Sequence, residues 1–213
     1  QGGGLFEKVE VTTLTDAAAT SEAIKTAMTQ VARNAAPDDV VAIFLSGHGV
    51  ARGEQDFFFA SHDIKIDKLD QTAVPWGTFQ SLLSASKARR VVLFLDACHS
   101  GKAIGVRHAG NGEMATQLVK NAGAIVFSSS LGDQQSFELD EVKHGAFTQA
   151  LIEGISNGKA DLDAGTGKDG VVSVEELLTF LRARVPQMTE GAQMPACPLL
   201  RDFGEAFPIA KVK

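Results

Sequence analysis

The sequence predicts an α/β fold, a mostly parallel sheet with helices on both faces, and three observations carry that expectation. Three short runs, Val40–Leu45, Val91–Leu95 and Ala124–Phe127, are apolar throughout and rich in β-branched or aromatic residues. Continuous apolar runs of this length read as strands buried on both faces rather than on one. Between and around them lie segments whose apolar residues recur at helical spacing, as an α/β sheet requires. Each run also stops abruptly in small, polar or reactive residues: Ser46-Gly47-His48-Gly49, Asp96-Ala97-Cys98-His99-Ser100-Gly101 and Ser128-Ser129-Ser130. Open parallel sheets present their ligand sites beyond the carboxyl ends of their strands, so three such endings at one edge would compose a site.

In chain order, Leu5–Leu14 alternates apolar and polar residues around Val9 and Val11 and predicts a strand. A turn follows at Asp16–Ala19. Thr20 or Ser21 then offers a hydroxyl N-cap, with Glu22 in the first turn and Ala23, Ile24, Ala27, Met28 and Val31 at helical spacing. The segment from Asn34 to Pro37 ends that helix. After the His48 strand, Asp56–Ala60 carries three consecutive phenylalanines that suit cross-strand packing. Asp63–Pro75 shows little periodicity and reads as a surface loop, whereas Trp76–Ser86 reads as a helix with Phe79, Leu82 and Leu83 on one face. Beyond the Cys98 strand, Gly105, Gly110 and Gly112 mark Lys102–Gly112 as a mobile segment, and Glu113–Asn121 as a short helix. A helix from Gly145 or Ala146 to Ile155 and another from Val174 to Val185 supply amphipathic covers.

Composition limits the function classes. The 213 residues are 44% hydrophobic, enough for a full core in one domain spanning residues 1–213. A net charge of −6 argues against a general nucleic-acid surface, and the basic clusters at Lys87–Arg90 and Arg182–Arg184 are too small to reverse it. No apolar run approaches the roughly 18 to 20 residues of a membrane helix, and Gln1-Gly2-Gly3-Gly4 lacks the pattern of a secretory signal. Two cysteines, Cys98 and Cys197, cannot form a disulfide framework, which suits a reducing, cytoplasmic compartment.

The chemistry centres on Cys98 and His48. A free thiol with a pKa near 8.5 is only slightly ionised at neutral pH; a neighbouring imidazole can take its proton and later return it to a leaving amine. The backbone N–H groups of Gly49 and Cys98 are candidates for stabilising the oxyanion of a tetrahedral intermediate, glycine permitting a close approach. Each residue also has a plain structural reading: a buried thiol, or a core imidazole satisfied by a carbonyl. Zinc is disfavoured because the adjacent Cys98 and His99 would rarely share an ion and no CxxC or HxxxH pair completes the set. A cysteine phosphatase would need arginine where Ile104 stands, and a thioredoxin-like site a second cysteine at Gly101. Cys197, between Pro195 and Pro198, reads as a packing residue. Gln193-Met194-Pro195 is either a late strand or a substrate-flanking segment.

Ser46-Gly47-His48-Gly49 and Asp96-Ala97-Cys98-His99-Ser100-Gly101 resemble the two catalytic motifs of the caspase-like cysteine peptidases, closest to metacaspases and their bacterial relatives. The His-to-Cys spacing of 50 residues agrees with that likeness. Phe127–Ser130, Asp133-Gln134-Gln135-Ser136 and His144-Gly145-Ala146-Phe147-Thr148 are similar to downstream segments of the family. The resemblance implies a caspase-like sheet, a catalytic dyad of His48 and Cys98, and a protein or peptide substrate. It also implies cleavage after Arg or Lys, since Asp96 stands where aspartate-cutting caspases have glutamine, and Ser46 matches a position lining the same pocket. A carboxylate in a partly desolvated pocket attracts a guanidinium or ammonium strongly; the plain alternative for Asp96 is a loop-bracing acceptor. Ser128 is a further candidate for substrate contact. The rival function is a catalytically silent caspase-like module acting as a signalling adaptor. Lys102 and Arg107 are candidate self-processing positions.

Two departures accompany the likeness. The family begins with a strand and a helix ahead of Leu5 that are missing from this sequence, so either a separate N-terminal fragment is an expected partner or the sheet lacks an edge strand. Aspartates that serve calcium-dependent metacaspases just after the cysteine motif are absent from Lys102–Gly112, and no cofactor is expected there. Around Asp169 and Glu176 two readings stay open. Asp169-Gly170 through Glu176 resembles half of an EF-hand calcium loop, but Ala164-Gly165-Thr166-Gly167 displaces Asp161 and Asp163 from register. The alternative is an acidic turn in which Ser173 and Glu176 form a capping box.

Overall fold

The computed structural model describes residues 4–52, 56–97, 124–130, 138–139, 144–163, 167–197 and 207–212. Its first helix, Ser21–Asn34 (α1), starts where Thr20 caps it by accepting a hydrogen bond from the Ala23 N–H at 3.2 Å. Ile24, Met28 and Ala32, four residues apart, form the buried stripe. Asp39 then accepts from the Ala36 N–H at 2.8 Å and steadies the turn into Val40–Gly47 (β1). Gly49–Arg52 (β2), Asp56–Phe59 (β3) and Val74–Pro75 (β4) follow as an antiparallel ribbon in the order β2-β3-β4. Between β3 and β4 lie a 3₁₀ turn at Ile66–Lys68 and a single helical turn, Leu69–Thr72 (α2).

Trp76–Ser84 (α3) leads to the central strand Arg90–Ala97 (β5), and Ile125–Ser128 (β6) lies beside it. The strands β1, β5 and β6 pair in parallel in that order. After the short pair Glu138–Leu139 (β7) and His144–Gly145 (β8) comes Ala146–Leu151 (α4), which passes into a π-helical turn at Ile152–Ser156. Val171–Ser173 (β9) precedes the long helix Val174–Met188 (α5), and Pro208–Lys211 (β10) pairs antiparallel with β9.

Period-two alternation sorts the parallel strands onto two cores. Val41, Leu45, Val91, Leu93, Leu95 and Val126 pack on one side with Ile24, Met28, Phe79 and Leu83 of α1 and α3. Val92, Phe94, Ile125 and Phe127 face the other side, against Ala146, Phe147 and Ala150 of α4 and Leu177, Leu181 and Val185 of α5. The Phe94 and Phe127 rings stack across the strands with centroids 5.2 Å apart. The expected sheet with helices on both faces is therefore present.

The two helices of the second core are tied by charge as well as by packing. Glu153, in the π turn and 6% exposed, accepts from Arg184 Nε and Nη2, each at 3.0 Å, from Lys159 Nζ at 2.9 Å and from Gln149 Nε2 at 3.2 Å. These donors, Arg184 foremost, hold its carboxyl down to about 2. The start of α5 has the anticipated capping box: Ser173 Oγ accepts from the Glu176 N–H, and the Glu176 carboxylate accepts from the Ser173 N–H.

Local expectations were overturned in several places. Residues 8–15 form no ladder among the described residues, and Val9 and Val11 are 47% and 79% exposed; alternation makes a segment fit for a sheet, but only a neighbouring strand completes it. Asp63–Pro75 is not a plain surface loop, because Leu69, Ala73 and Val74 are buried and pack with Phe58 or the main core. Elements of two to four residues are too short to show a period. The pairing of β9 with β10 was likewise unanticipated. Among the described residues, no helix is long and apolar enough to cross a membrane.

Candidate functional site

The parallel ladder delivers the carboxyl ends of β1, β5 and β6 to one edge. Ser46 pairs with Asp96, Gly47 with Ala97, and Leu95 with Ser128. Neighbouring strands lie about 4.8 Å apart, and residues in register project to the same side. His48 is the residue after Gly47, and Cys98 the residue after Ala97. Cys98 itself, His99, Lys102–Gly112 with its candidate processing positions, Glu113–Asn121 and Asp133–Ser136 lie outside the described residues.

His48 sits exposed between β1 and β2, and two contacts fix its backbone. Its carbonyl accepts from the Ala60 N–H at 2.9 Å, tying it to the far end of β3. The Phe59 ring lies on Gly47, where a built Cβ would stand 3.0 Å from Phe59 Cζ. That glycine is required by proximity rather than by conformation. Phe59 in turn meets Phe79 edge to face with centroids 6.2 Å apart, so the imidazole's support reaches the first core. Gly49, whose N–H is an oxyanion candidate, is buried at the start of β2.

Asp96 is buried at 2% exposure beside the exposed Ser46. Its Oδ2 accepts a short hydrogen bond from Thr148 Oγ1 of α4. A Cβ on Gly145 would come within 2.9 Å of the same oxygen. Neither contact is legible in the sequence, where 52 positions separate Thr148 from Asp96; the only signal is the Gly145-Ala146-Phe147-Thr148 run itself.

Ser128, Ser129 and Ser130 are fully buried. Ser128 donates its hydroxyl to the carbonyl of Ser130 at 3.1 Å and approaches that of Ala196 at 3.4 Å, while its backbone bridges to Ala196 in both directions. A hydroxyl committed in this way braces the edge. Gln193, also fully buried, donates from Nε2 to the Ser129 carbonyl at 2.8 Å, so the segment left open between strand and substrate flank is a buttress of β6. Cys197 is buried among apolar side chains, and burial pushes its thiol up to about 12. It is a packing residue with almost no thiolate at neutral pH.

Glu176 and Asp169 spend their oxygens on the backbone N–H groups and the Ser173 hydroxyl around them. Glu176 Oε1 accepts from the Leu162 N–H at 3.1 Å and Oε2 from Ser173 N–H and Oγ at 2.9 and 2.8 Å. Asp169 Oδ1 accepts from the Val171 N–H at 2.8 Å across Gly170, whose φ of 79° makes the turn. Among the described residues, no group of three His, Cys, Asp or Glu side chains is placed to hold a metal ion.

Comparison with known proteins agrees with this geometry. No curated protein matches the chain. Among solved structures, protein GSU0716 from Geobacter sulfurreducens is similar with a TM-score of 0.58 and 21% identity, over 95% of this chain and 78% of that one. That likeness speaks for the fold alone. The family model described as Caspase domain matches residues 4–201. With nearly the whole chain inside that match, a parallel sheet whose ends carry the His48 and Cys98 motifs, and helices on both faces, the chain belongs to the caspase-domain peptidase family.

Proposed function

We propose that the protein is a cysteine endopeptidase that cleaves after Arg or Lys, with His48 and Cys98 as its dyad. The observation that carries the reading is the register of β1 and β5: the pair Gly47 and Ala97 immediately precedes His48 and Cys98. In the proposed reaction His48 accepts the Cys98 thiol proton as sulfur attacks the scissile carbonyl. The Gly49 and Cys98 N–H groups receive the oxyanion. Collapse of the tetrahedral intermediate expels the amine, which takes its proton from His48 and leaves a thioester. Water, deprotonated by His48, then releases the acid and restores the thiol. The inert Cys197 supports Cys98 as the nucleophile of this two-cysteine chain.

Asp96 and Ser46 form the P1 pocket in this reading, supported by their pairing in the ladder and by the burial of Asp96. A buried carboxylate favours a guanidinium or ammonium over a neutral or acidic side chain. The same preference makes Lys102 and Arg107 self-processing positions, checked by N-terminal sequencing of the incubated protein. A separate N-terminal fragment is proposed as partner for the face of β1 on which Phe44 is 49% exposed beside exposed Ala42.

A panel of fluorogenic peptides with Arg, Lys or Asp at P1, together with an Arg chloromethylketone, tests the proposal. Turnover of the basic substrates and covalent labelling, both lost in C98A and H48A, are the expected results. Absence of labelling under every activating condition would leave a silent signalling module instead.

A further inference from the structure

The geometry points to Thr148 as the positioning residue for P1 specificity: its hydroxyl, with the space left by Gly145, sets the carboxylate of Asp96. This inference rests on the proposed role of Asp96 in binding a basic P1 side chain. A carboxylate whose oxygens are held in a fixed direction discriminates more sharply for a guanidinium over an uncharged group of the same shape, because the paired charge-assisted bonds that only the guanidinium makes form without the ordering cost a rotating acceptor would pay.

Two features of the second core do the holding. Thr148 Oγ1 donates to Asp96 Oδ2 across the interface between α4 and the end of β5. From β8, Gly145 leaves room for the same oxygen, since a Cβ there would stand 2.9 Å from Oδ2. Gly145 has φ −64° and ψ 151°, a backbone any residue adopts, so its lack of a side chain matters here for contact alone. Thr148 is itself well fixed. It follows Ala146 and Phe147, both fully buried, and its hydroxyl is committed to Asp96. One turn on, the π turn is clamped through Glu153 to Arg184 of α5. The carboxylate is thus oriented from the α4 side of the sheet, while His48 is supported from the opposite side through Phe59.

The alternative role for this bond is purely structural, with Asp96 bracing α4 and taking no part in recognition. The two are separated by kinetics on a matched pair of peptides carrying arginine or citrulline at P1, which differ in charge but hardly in shape. In T148V the kcat/KM ratio of arginine to citrulline should fall at least tenfold, the loss appearing in KM for the arginine peptide, and T148S should restore the ratio. G145A is the second perturbation: it keeps the hydroxyl but displaces Oδ2, and should lower the same ratio by a similar factor. If the wild type prefers arginine and both T148V and G145A keep the ratio within twofold, the positioning role is refuted and the proposed peptidase stands. If the wild type shows no preference for arginine over citrulline, the basic-P1 reading fails and this inference falls with it.

Discussion

Replacing Glu153 by glutamine removes one charge from the clamp between the π turn and α5 while keeping the side chain's size. The magnitude follows from its partners. Arg184 holds the carboxylate with two hydrogen bonds at 3.0 Å, Lys159 and Gln149 add two more, and the carboxyl is held down to about 2 from an ordinary 4.5. At about 1.4 kcal/mol per unit, that difference sets a ceiling of about 3 kcal/mol. The side chains of Arg184 and Lys159 are 35% and 55% exposed, so solvent screens both and about 2 kcal/mol is the expected contribution. Its sign with pH is set by the lowered carboxyl: the contribution is complete above pH about 4.5 and is lost as pH falls toward about 2. Urea unfolding of wild type and E153Q at pH about 7 should differ by about 2 kcal/mol, equivalent to a fall in Tm of about 4 to 8 °C for a chain of this size. At pH about 3 the gap should shrink to about half or less, because the carboxyl of the unfolded chain is then largely protonated while the folded one, held down to about 2, is still mostly ionised, so folding must release a proton. A gap that is equal at both pH values, or below about 0.5 kcal/mol at neutral pH, would refute the reasoning.

Three further outcomes follow from the same structure. Native protein at neutral pH should show one fast thiol toward Ellman's reagent, Cys98, because the Cys197 thiol is buried and pushed up to about 12; two fast thiols, or one surviving in C98A, would contradict this. G47A should lower kcat on the arginine peptide about tenfold, worth about 1.4 kcal/mol, since the new methyl meets Phe59 beside His48. F59L should restore it, and an unchanged kcat in G47A would show that the loop absorbs the methyl elsewhere. S173A should cost about 1 kcal/mol in urea unfolding by removing the cap of α5, and an unmoved midpoint would count against the capping box as a stabilising element.

The parallel strands were legible as unbroken apolar runs and the longer helices as periodic ones. Val40–Leu45 and Val91–Leu95 are continuous apolar runs, and both became strands of the central sheet. The Thr20 cap of α1 and the Ser173–Glu176 box of α5 follow from local chemistry within four residues. What stayed hidden depends on partners distant in the chain. The alternation around Val9 and Val11 is a correct description of those side chains, yet no ladder forms there among the described residues. The bond from Thr148 to Asp96 spans 52 positions and the one from Gln193 to Ser129 spans 64, and neither leaves a pattern in a single sequence. The π turn after Leu151 is hidden too, since it extends a helical period by only one residue, and the Arg184 bonds to the Glu153 it carries span 31 positions.

The two halves of the edge hang from different cores. The imidazole loop is fastened to aromatic side chains on the α1 and α3 side, and the acidic residue of the neighbouring strand is fastened to a hydroxyl on the α4 side. A sheet one residue thick separates the two anchorages, so each can drift under mutation without dragging the other. Under the proposed function, such a division would let a substitution at the acidic position change which residue is cut after while the imidazole keeps its support.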